Sequence, residues 1–371
     1  MKRSMLSPSP SNPPSRDRAV AAWLLTCAAF VAAMVAVGGL TRLTRSGLSI
    51  VEWKPLLGAI PPIGEAAWRA ELAKYQASPE AKLVNVGLSL EGFQQIYYVE
   101  WFHRLLGRLT GVVVLAPLVF FAVQKRLDRK RIRQLLTLFA LGALQGALGW
   151  FMVQSGLVNA PHVSPYRLTA HLLLALVLFA ALLWVALDAA LQPTDLAPIR
   201  HARRLRSGAL ALLAVLTATI AWGGLMAGFH AGLAAPTFPT INGAWIPDGM
   251  WDGPRALANV LQNPLTIHFT HRLLAYCAVL GALTLGASML LTDGAPRRWR
   301  WIALGLGALA LGQVMLGALT VLSFVWIGWA SLHQLNAVLL LGMLVAAAHE
   351  LTPTSRAIEV GTGNGDPRRP S

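Results

Sequence analysis

Eight apolar segments, each long enough to cross a lipid bilayer, limit what this chain can fold into. A helix needs about 20 mainly apolar residues to span the hydrocarbon core of a membrane. Only 13% of the 371 residues are charged, compared with about 25% in soluble domains. The sequence therefore predicts an all-α polytopic membrane protein whose eight transmembrane helices lie at about 19–41, 98–124, 132–155, 166–190, 206–229, 265–291, 299–323 and 328–350.

The formal net charge of +15 indicates membrane orientation and not a nucleic-acid partner. Most of the 31 Lys and Arg residues lie in the N-terminal tail, at 125–133, 200–206 and 297–300, and in the C-terminal tail. These places share one side of the membrane if the chain crosses eight times, which is the positive-inside pattern. We therefore predict a multi-pass membrane protein with anionic lipid at its basic face.

This topology makes both ends of the chain cytoplasmic, with a disordered tail at 1–18 and a second tail at 351–371. It also predicts two long outer loops, at 42–97 and 230–264, and long ordered loops are often binding loops. The stretch Glu65–Tyr75 in the first loop is predicted to form a short surface helix.

The chain repeats itself as four helices plus four helices. The phrase Glu100-Trp-Phe-His103-Arg104-Leu-Leu is echoed by His268-Phe-Thr-His271-Arg272-Leu-Leu, and Gln145-Gly-Ala-Leu-Gly is echoed by Gln313-Val-Met-Leu-Gly. An even number of helices per unit gives both halves the same orientation, with a symmetry axis along the membrane normal. We predict two tandem, parallel-repeat four-helix bundles, one at 19–190 and one at 206–350.

Four histidines occupy matched positions in the two halves, at the outer ends of apolar segments. They are His103, His171, His271 and His333, each about five or six residues from the outer end of its predicted helix. Polar, metal-binding side chains are costly in lipid and usually mark function. Two histidines at one depth on different helices can supply both axial nitrogens of a haem iron. The pattern predicts two bis-histidine haem sites, or one haem site and one derived from it.

Other metal chemistry fits the sequence less well. Zinc prefers further Cys, His or Asp ligands, which each half lacks. The two cysteines, Cys27 and Cys277, lie inside apolar segments, and no CxxCH motif exists, so covalent haem attachment is excluded.

Glu100 lies three residues before His103 and therefore shares its helix face. A carboxylate beside an iron ligand can move protons or stabilise positive charge on a substrate; an ion pair with Arg104 is the alternative reading. Its counterpart in the second half is His268. This asymmetry suggests that the N-terminal half does chemistry while the C-terminal half holds a permanent electron-transfer haem. Guanidinium groups bind carboxylates well, and the candidates to pair with haem propionates include Arg104, Arg108 and Arg272.

Three stretches carry a resemblance to a known family. Gly38-Gly-Leu-Thr-Arg-Leu-Thr-Arg-Ser-Gly-Leu-Ser-Ile-Val-Glu-Trp-Lys-Pro55, then Gly58-Ala-Ile-Pro-Pro62, then Glu100-Trp-Phe-His-Arg-Leu-Leu-Gly-Arg108 resemble the proteobacterial and mitochondrial branch of the heme A synthase family. The resemblance extends from about residue 20 to 350. Some other members carry a cysteine pair in the first outer loop, and this chain has none there.

The resemblance implies an activity and a division of roles. The family oxidises the C8 methyl group of haem O to a formyl group by two successive hydroxylations, which gives haem A for cytochrome oxidase. By resemblance, His103 and His171 hold the substrate haem O, His271 and His333 ligate a resident haem b, and Glu100 is catalytic. Heme O synthase is a candidate partner because haem O is too apolar to diffuse freely in water. The electron donor and homo-oligomerisation are left open.

Two other functions are weighed against this one. A non-catalytic, di-haem electron-transfer cytochrome b explains the four histidines, but not a glutamate in one half alone or the long first loop. A transporter or haem carrier predicts charged residues or broken helices at mid-membrane, whereas the polar residues here cluster at one face.

Overall fold

The computed structural model describes residues 17–54, 57–158, 160–192, 194, 196, 199, 201–251 and 256–353. These residues form helices and no β-strand, with one 3-10 turn at Leu57–Ala59. In chain order the α-helices are α1 (Arg18–Leu43), α2 (Glu65–Gln76), α3 (Pro79–Leu83), α4 (Leu90–Val123), α5 (Arg129–Val158), α6 (Pro165–Ala190), α7 (Ala202–Gly228), α8 (Ala231–Ala234), α9 (Ala256–Gln262), α10 (Pro264–Leu290), α11 (Arg297–Leu322) and α12 (Ile327–Glu350).

Eight of these helices are long and apolar enough to cross a membrane, namely α1, α4, α5, α6, α7, α10, α11 and α12. The predicted fold class is therefore confirmed. The predicted tails lie largely outside the described residues, at 1–16 and 354–371. The predicted surface helix is present as α2.

Local side-chain chemistry explains where the helices begin. The Asp17 carboxylate accepts hydrogen bonds from the backbone of α1, and the Asn263 side chain does the same for α10. Such side chains satisfy backbone N–H groups that have no partner in the first helical turn. Proline opens α6 and α10 at Pro165 and Pro264, where its missing N–H costs nothing.

The predicted start of the second span, residue 98, is wrong: α4 begins at Leu90. The Ser89 hydroxyl accepts a hydrogen bond from Gly92 N at 3.1 Å and so starts the helix earlier. The eight additional residues add about 12 Å at 1.5 Å per residue. The loop predicted at 42–97 therefore ends at residue 89, and His103 lies thirteen residues after the start of its helix instead of five or six.

The additional turns of α4 are held by an aromatic cluster of Trp68, Tyr75, Phe93 and Tyr97, all buried. Trp68 packs edge-on against Tyr97, with ring centroids 5.0 Å apart, and Tyr75 lies 5.3 Å from Phe93. Burying each large side chain contributes roughly 1.5–3 kcal/mol. The cluster fixes α2 and α3 against the start of α4.

The centre of the bundle consists of α1, α6, α7 and α12, which pack against one another, while α4 and α5 flank one side and α10 and α11 the other. Of the hydrogen bonds that join the halves, two form a reciprocal pair. Arg42 on α1 donates to Ala227 O on α7, and Gln334 on α12 donates to Val35 O on α1 at 2.6 Å. The tandem-repeat arrangement stays an interpretation, which these paired contacts support.

The hydrogen bond from Arg42 to Ala227 O also shows that α1 and α7 end on the same side of the bundle. Segments 44–89 and 229–263 both leave from there. We call this side the loop end.

Candidate functional site

Each of the four histidines lies against a glycine on a neighbouring helix. A Cβ atom added to Gly38 would lie 3.0 Å from His103 Cε1. The same test gives 2.9 Å for Gly149 and His171, 3.2 Å for Gly223 and His271, and 3.0 Å for Gly317 and His333. Interiors are close-packed, so a methyl group in that space would displace the ring. Glycine at these positions therefore lets an imidazole lie directly on the adjacent backbone.

The two histidines of each half lie on helices that both pack against one central helix. In the N-terminal half, α4 and α6 pack against α1, and in the C-terminal half, α10 and α12 pack against α7. Within the part of the chain that the structure describes, the Nδ1 atoms of His103, His171 and His333 are buried without a hydrogen-bond partner. Native structures rarely leave buried polar atoms unpaired, so these rings are available for a ligand.

His271 differs from the other three because its Nδ1 lies 3.0 Å from Thr219 O. A backbone carbonyl at one ring nitrogen orients the imidazole and leaves the other nitrogen for a metal. The paired imidazoles and the glycines beneath them fit a bis-histidine haem in each half. Among the described residues no three His, Cys, Asp or Glu side chains group to hold a metal ion, so the structure gives the zinc alternative no support.

A glutamine accompanies the second histidine of each half. Gln145 Nε2 donates to His171 O at 2.9 Å, and Gln313 Nε2 donates to His333 O at 3.1 Å. In the C-terminal half, Asn336 donates to Gln313 Oε1 at 2.6 Å. In the N-terminal half, Gln145 Oε1 is buried without a partner. Sequence reasoning used these glutamines only as evidence of a repeat, although their matched positions could have indicated a role beside the histidines.

Glu100 is 2% exposed, and three hydrogen bonds at the loop end hold its carboxylate. Arg104 Nη2 donates to Oε1 at 2.6 Å, so the ion pair considered from the sequence is present. Ser49 Oγ and Ile50 N donate to Oε2 at 2.7 and 2.8 Å. Ser49 was missed because nothing in the spacing shows that the first loop folds back onto α4.

His268 occupies the corresponding place in the other half. It is 1% exposed, and Arg272 Nε donates to its Nε2 at 3.0 Å. Arg272 Nη1 also donates to Pro239 O and Thr240 O, at 3.1 and 3.0 Å. Arg272, one helical turn after His268, thus holds the second long loop.

The three arginines proposed as propionate partners all bond to loop carbonyls. Besides the contacts of Arg272, Arg104 donates to Ile50 O at 2.8 Å and to Glu52 O at 3.2 Å, and Arg108 donates to Lys54 O at 2.9 Å. The structure therefore uses them to anchor the two long loops. Their pairing with propionates stays a prediction.

Comparison with known proteins gives one consistent result. The family described as cytochrome oxidase assembly protein matches residues 21–345. A relative named heme A synthase from Rhodospirillum centenum is 48% identical and covers 94% of this chain and 93% of its own length. Relatives with the same name from Granulibacter bethesdensis and Sphingopyxis alaskensis are 43% and 40% identical, covering 94% and 96% of this chain and 91% and 99% of their own lengths.

Proposed function

The chain belongs to the heme A synthase family, and from that membership we propose how its residues divide the work of the reaction. It is a membrane oxidoreductase that converts haem O to haem A by oxidising the C8 methyl group to a formyl group. We assign the substrate to the N-terminal half, between His103 and His171. We assign a resident haem b to the C-terminal half, between His271 and His333. Nothing in the comparisons favours the electron-transfer cytochrome.

This division rests on one difference between the halves: the N-terminal half has Glu100 where the C-terminal half has His268, in otherwise similar surroundings. Each lies one helical turn before an arginine that anchors a loop. A carboxylate can stabilise positive charge that develops on a substrate carbon, or accept a proton from it. His268 already accepts a hydrogen bond from Arg272 at its Nε2, so that nitrogen is occupied. The half with the carboxylate is therefore the half that performs the oxidation.

Glu100 acts on the methyl group in this proposal. Its carboxylate is fixed by Arg104 on one oxygen and by Ser49 and Ile50 on the other. Preorganised polar groups stabilise charge in a transition state without a reorganisation cost. The Ser49 hydroxyl can rotate, because a hydroxyl both donates and accepts. Rotation frees one carboxylate oxygen for a proton from the substrate.

The C-terminal pair is suited to a permanent occupant. Thr219 orients His271, and Asn336 fixes the glutamine beside His333. A haem b held there supplies a one-electron redox couple. His271 and His333 would hold it by their ring nitrogens, and Gly223 and Gly317 leave room for the rings.

We also propose an orientation in the membrane. The basic segments at 125–133, 201–206 and 297–300 lie at the end opposite the loop end. By the positive-inside rule they face the cytoplasm. The loop end, with both histidine pairs, then faces the periplasm across the bacterial inner membrane. Heme O synthase stays a candidate partner, and the electron donor and oligomeric state stay open.

The test is Glu100→Ala, produced in cells that supply haem O, with Glu91→Ala as control because Glu91 is exposed in the first turn of the same helix. Extraction, chromatography and mass spectrometry of haem should show haem b in both variants and haem A only in the control. A normal haem A yield from Glu100→Ala would overturn the catalytic assignment.

A further inference from the structure

Gln145 and Gln313 occupy matched positions beside the second histidine of each half, but their side-chain oxygens are treated differently. In both glutamines the amide nitrogen donates to the backbone carbonyl of the histidine, at 2.9 Å for Gln145 and 3.1 Å for Gln313. A carbonyl can bond only to the nitrogen end of an amide, so the direction of each side-chain oxygen is fixed. The Gln313 oxygen accepts a hydrogen bond from Asn336 at 2.6 Å.

The Gln145 oxygen is buried, and within the described residues it has no hydrogen-bond partner. The position that matches Asn336 holds Leu174, whose side chain has no donor. Native proteins rarely leave a buried oxygen unpaired, so this one calls for a ligand. Gln145 Nε2 lies 3.4 Å from His171 Nε2. The free acceptor therefore belongs to the site assigned to the substrate.

Haem O and haem b differ at one edge of the porphyrin ring. Haem O carries a long isoprenoid chain, with a hydroxyl group on its first carbon, where haem b carries a vinyl group. The ionised propionates of both haems accept hydrogen bonds and cannot donate them. The hydroxyl is therefore the donor that haem O brings to a free oxygen and that haem b lacks.

The helix that carries Gln145 also leaves room for the isoprenoid chain. Gly142, which shares the helix face of Gln145 one turn earlier, is exposed, whereas the matching Ala310 on α11 is fully buried. Leu138 is partly buried, and its counterpart Leu306 is fully buried. Among the described residues, a Cβ added to Gly142 would meet nothing within 4 Å. A chain attached beside the hydroxyl can leave along α5 toward lipid.

We propose that Gln145 selects haem O over haem b for the N-terminal half, by accepting a hydrogen bond from the hydroxyl group of the isoprenoid side chain. This rests on the proposed function, which assigns the substrate to that half. In the C-terminal half Asn336 already occupies the equivalent oxygen, so haem b leaves nothing unpaired there. A site that pairs a substrate hydroxyl rejects an analogue without it, because its own polar group is then buried and unpaired.

The test compares two haems that differ in their hydroxyl groups and lack the isoprenoid chain. Haematohaem carries 1-hydroxyethyl groups where mesohaem carries ethyl groups. Full-length protein that has haem b, purified from cells that make no haem O, is titrated with each haem, and absorption spectra give the two dissociation constants. The ratio of the mesohaem constant to the haematohaem constant should fall about 5–100-fold from wild type to Gln145→Leu.

Two further variants make the ratio decisive. Gln134→Leu is the same replacement at an exposed position of α5 and should keep the wild-type ratio. Leu174→Asn keeps Gln145 and its bond to His171 O, but supplies the donor that Asn336 provides in the other half, so it should also lower the ratio. It decides the matter if Gln145→Leu binds neither haem.

A purely structural role of Gln145 would weaken the binding of both haems equally and leave the ratio unchanged. A wild-type ratio in Gln145→Leu, or in Leu174→Asn, would therefore overturn the proposal.

His171→Ala separates this proposal from the proposed function. It should abolish binding of both added haems while haem b is retained. If it does so and Gln145→Leu keeps the wild-type ratio, selection by Gln145 is overturned and the substrate assignment stands. If the added haems still bind to His171→Ala with wild-type affinity, the assignment of the substrate to the N-terminal half is overturned, and the proposal for Gln145 with it.

Discussion

The N-terminal and C-terminal halves anchor their long loops in the same way but with different polar residues. Arg104 and Arg272 each donate to loop carbonyls, and each pairs with the side chain four residues earlier. That side chain is a carboxylate in one half and an imidazole in the other. Because His268 suffices for the anchor, holding a loop does not require Glu100 to be acidic. Its negative charge is therefore available for chemistry.

The halves also differ in how firmly their histidines are held. In the C-terminal half, Thr219 orients His271, and Asn336 satisfies Gln313. In the N-terminal half, His103 Nδ1 and Gln145 Oε1 have no partner. A preorganised site loses less freedom when it binds and so holds a ligand longer. The difference suits a permanent occupant in one half and an exchanging one in the other.

The largest expected effect comes from removing an axial histidine from each half in turn. His333→Ala should abolish retention of haem b, because one of its two iron ligands is gone. His171→Ala should keep haem b at one per chain and lose haem O binding. Haem extraction with chromatography measures both. Equal loss of haem b in the two variants would show that the halves do not divide their occupants as proposed.

The next effect comes from neutralising the residues that distinguish the halves. Glu100→Gln keeps the size of the side chain but removes its charge, and should lower haem A formation by about 10²–10⁴-fold. His268→Gln should keep the rate of haem A formation within a few-fold of the wild-type rate, because the role of His268 is to support Arg272. The rate of haem A formation at constant haem b content checks this. If His268→Gln is the more damaging change, the chemistry has been placed in the wrong half.

Glycine substitutions should affect each half separately, with an intermediate effect. In Gly317→Ala the new methyl group displaces His333, and in Gly38→Ala it displaces His103, at about 1–3 kcal/mol each. The first should reduce haem b occupancy and the second the affinity for haem O. Gly146→Ala is the matched control, since nothing lies within 4 Å of its added Cβ. Haem titration of the purified variants measures the affinities.

The smallest effect is expected at Asn336. Replacing it by leucine removes the donor to Gln313 Oε1 and makes that glutamine resemble Gln145. A lost neutral hydrogen bond costs about 0.5–1.5 kcal/mol, so haem b should leave up to about tenfold faster. Transfer of haem to an excess of apomyoglobin measures the rate. An unchanged rate would mean that the locked glutamine does not contribute to haem retention.

The sequence predicted the membrane spans well and singled out four histidines, whose binding of haem stays a prediction; both follow from hydropathy. Hydropathy depends on length and composition alone, and a histidine in an apolar segment stands out. The early start of α4 was missed because residues 90–97 are not uniformly apolar and lie beyond the predicted span. They are helical because Ser89 caps them and Phe93 packs on Trp68, which is a contact between distant segments.

The partners of the arginines could not be predicted either. An arginine near a haem can donate to a propionate or to a backbone carbonyl, and the sequence does not distinguish the acceptors. Arg104 reaches Ile50 O only because the first loop folds back over α4.

Two of the hydrogen bonds that join the halves end on main-chain oxygens, those of Val35 and Ala227. Every residue type has such an oxygen, so the receiving positions can change identity over evolutionary time while the contact persists. Only the donors Arg42 and Gln334 are held by selection for this contact. Paired substitutions at these two contacts will therefore be scarce in related proteins, and co-evolution statistics will underestimate how much the two contacts contribute to joining the bundles.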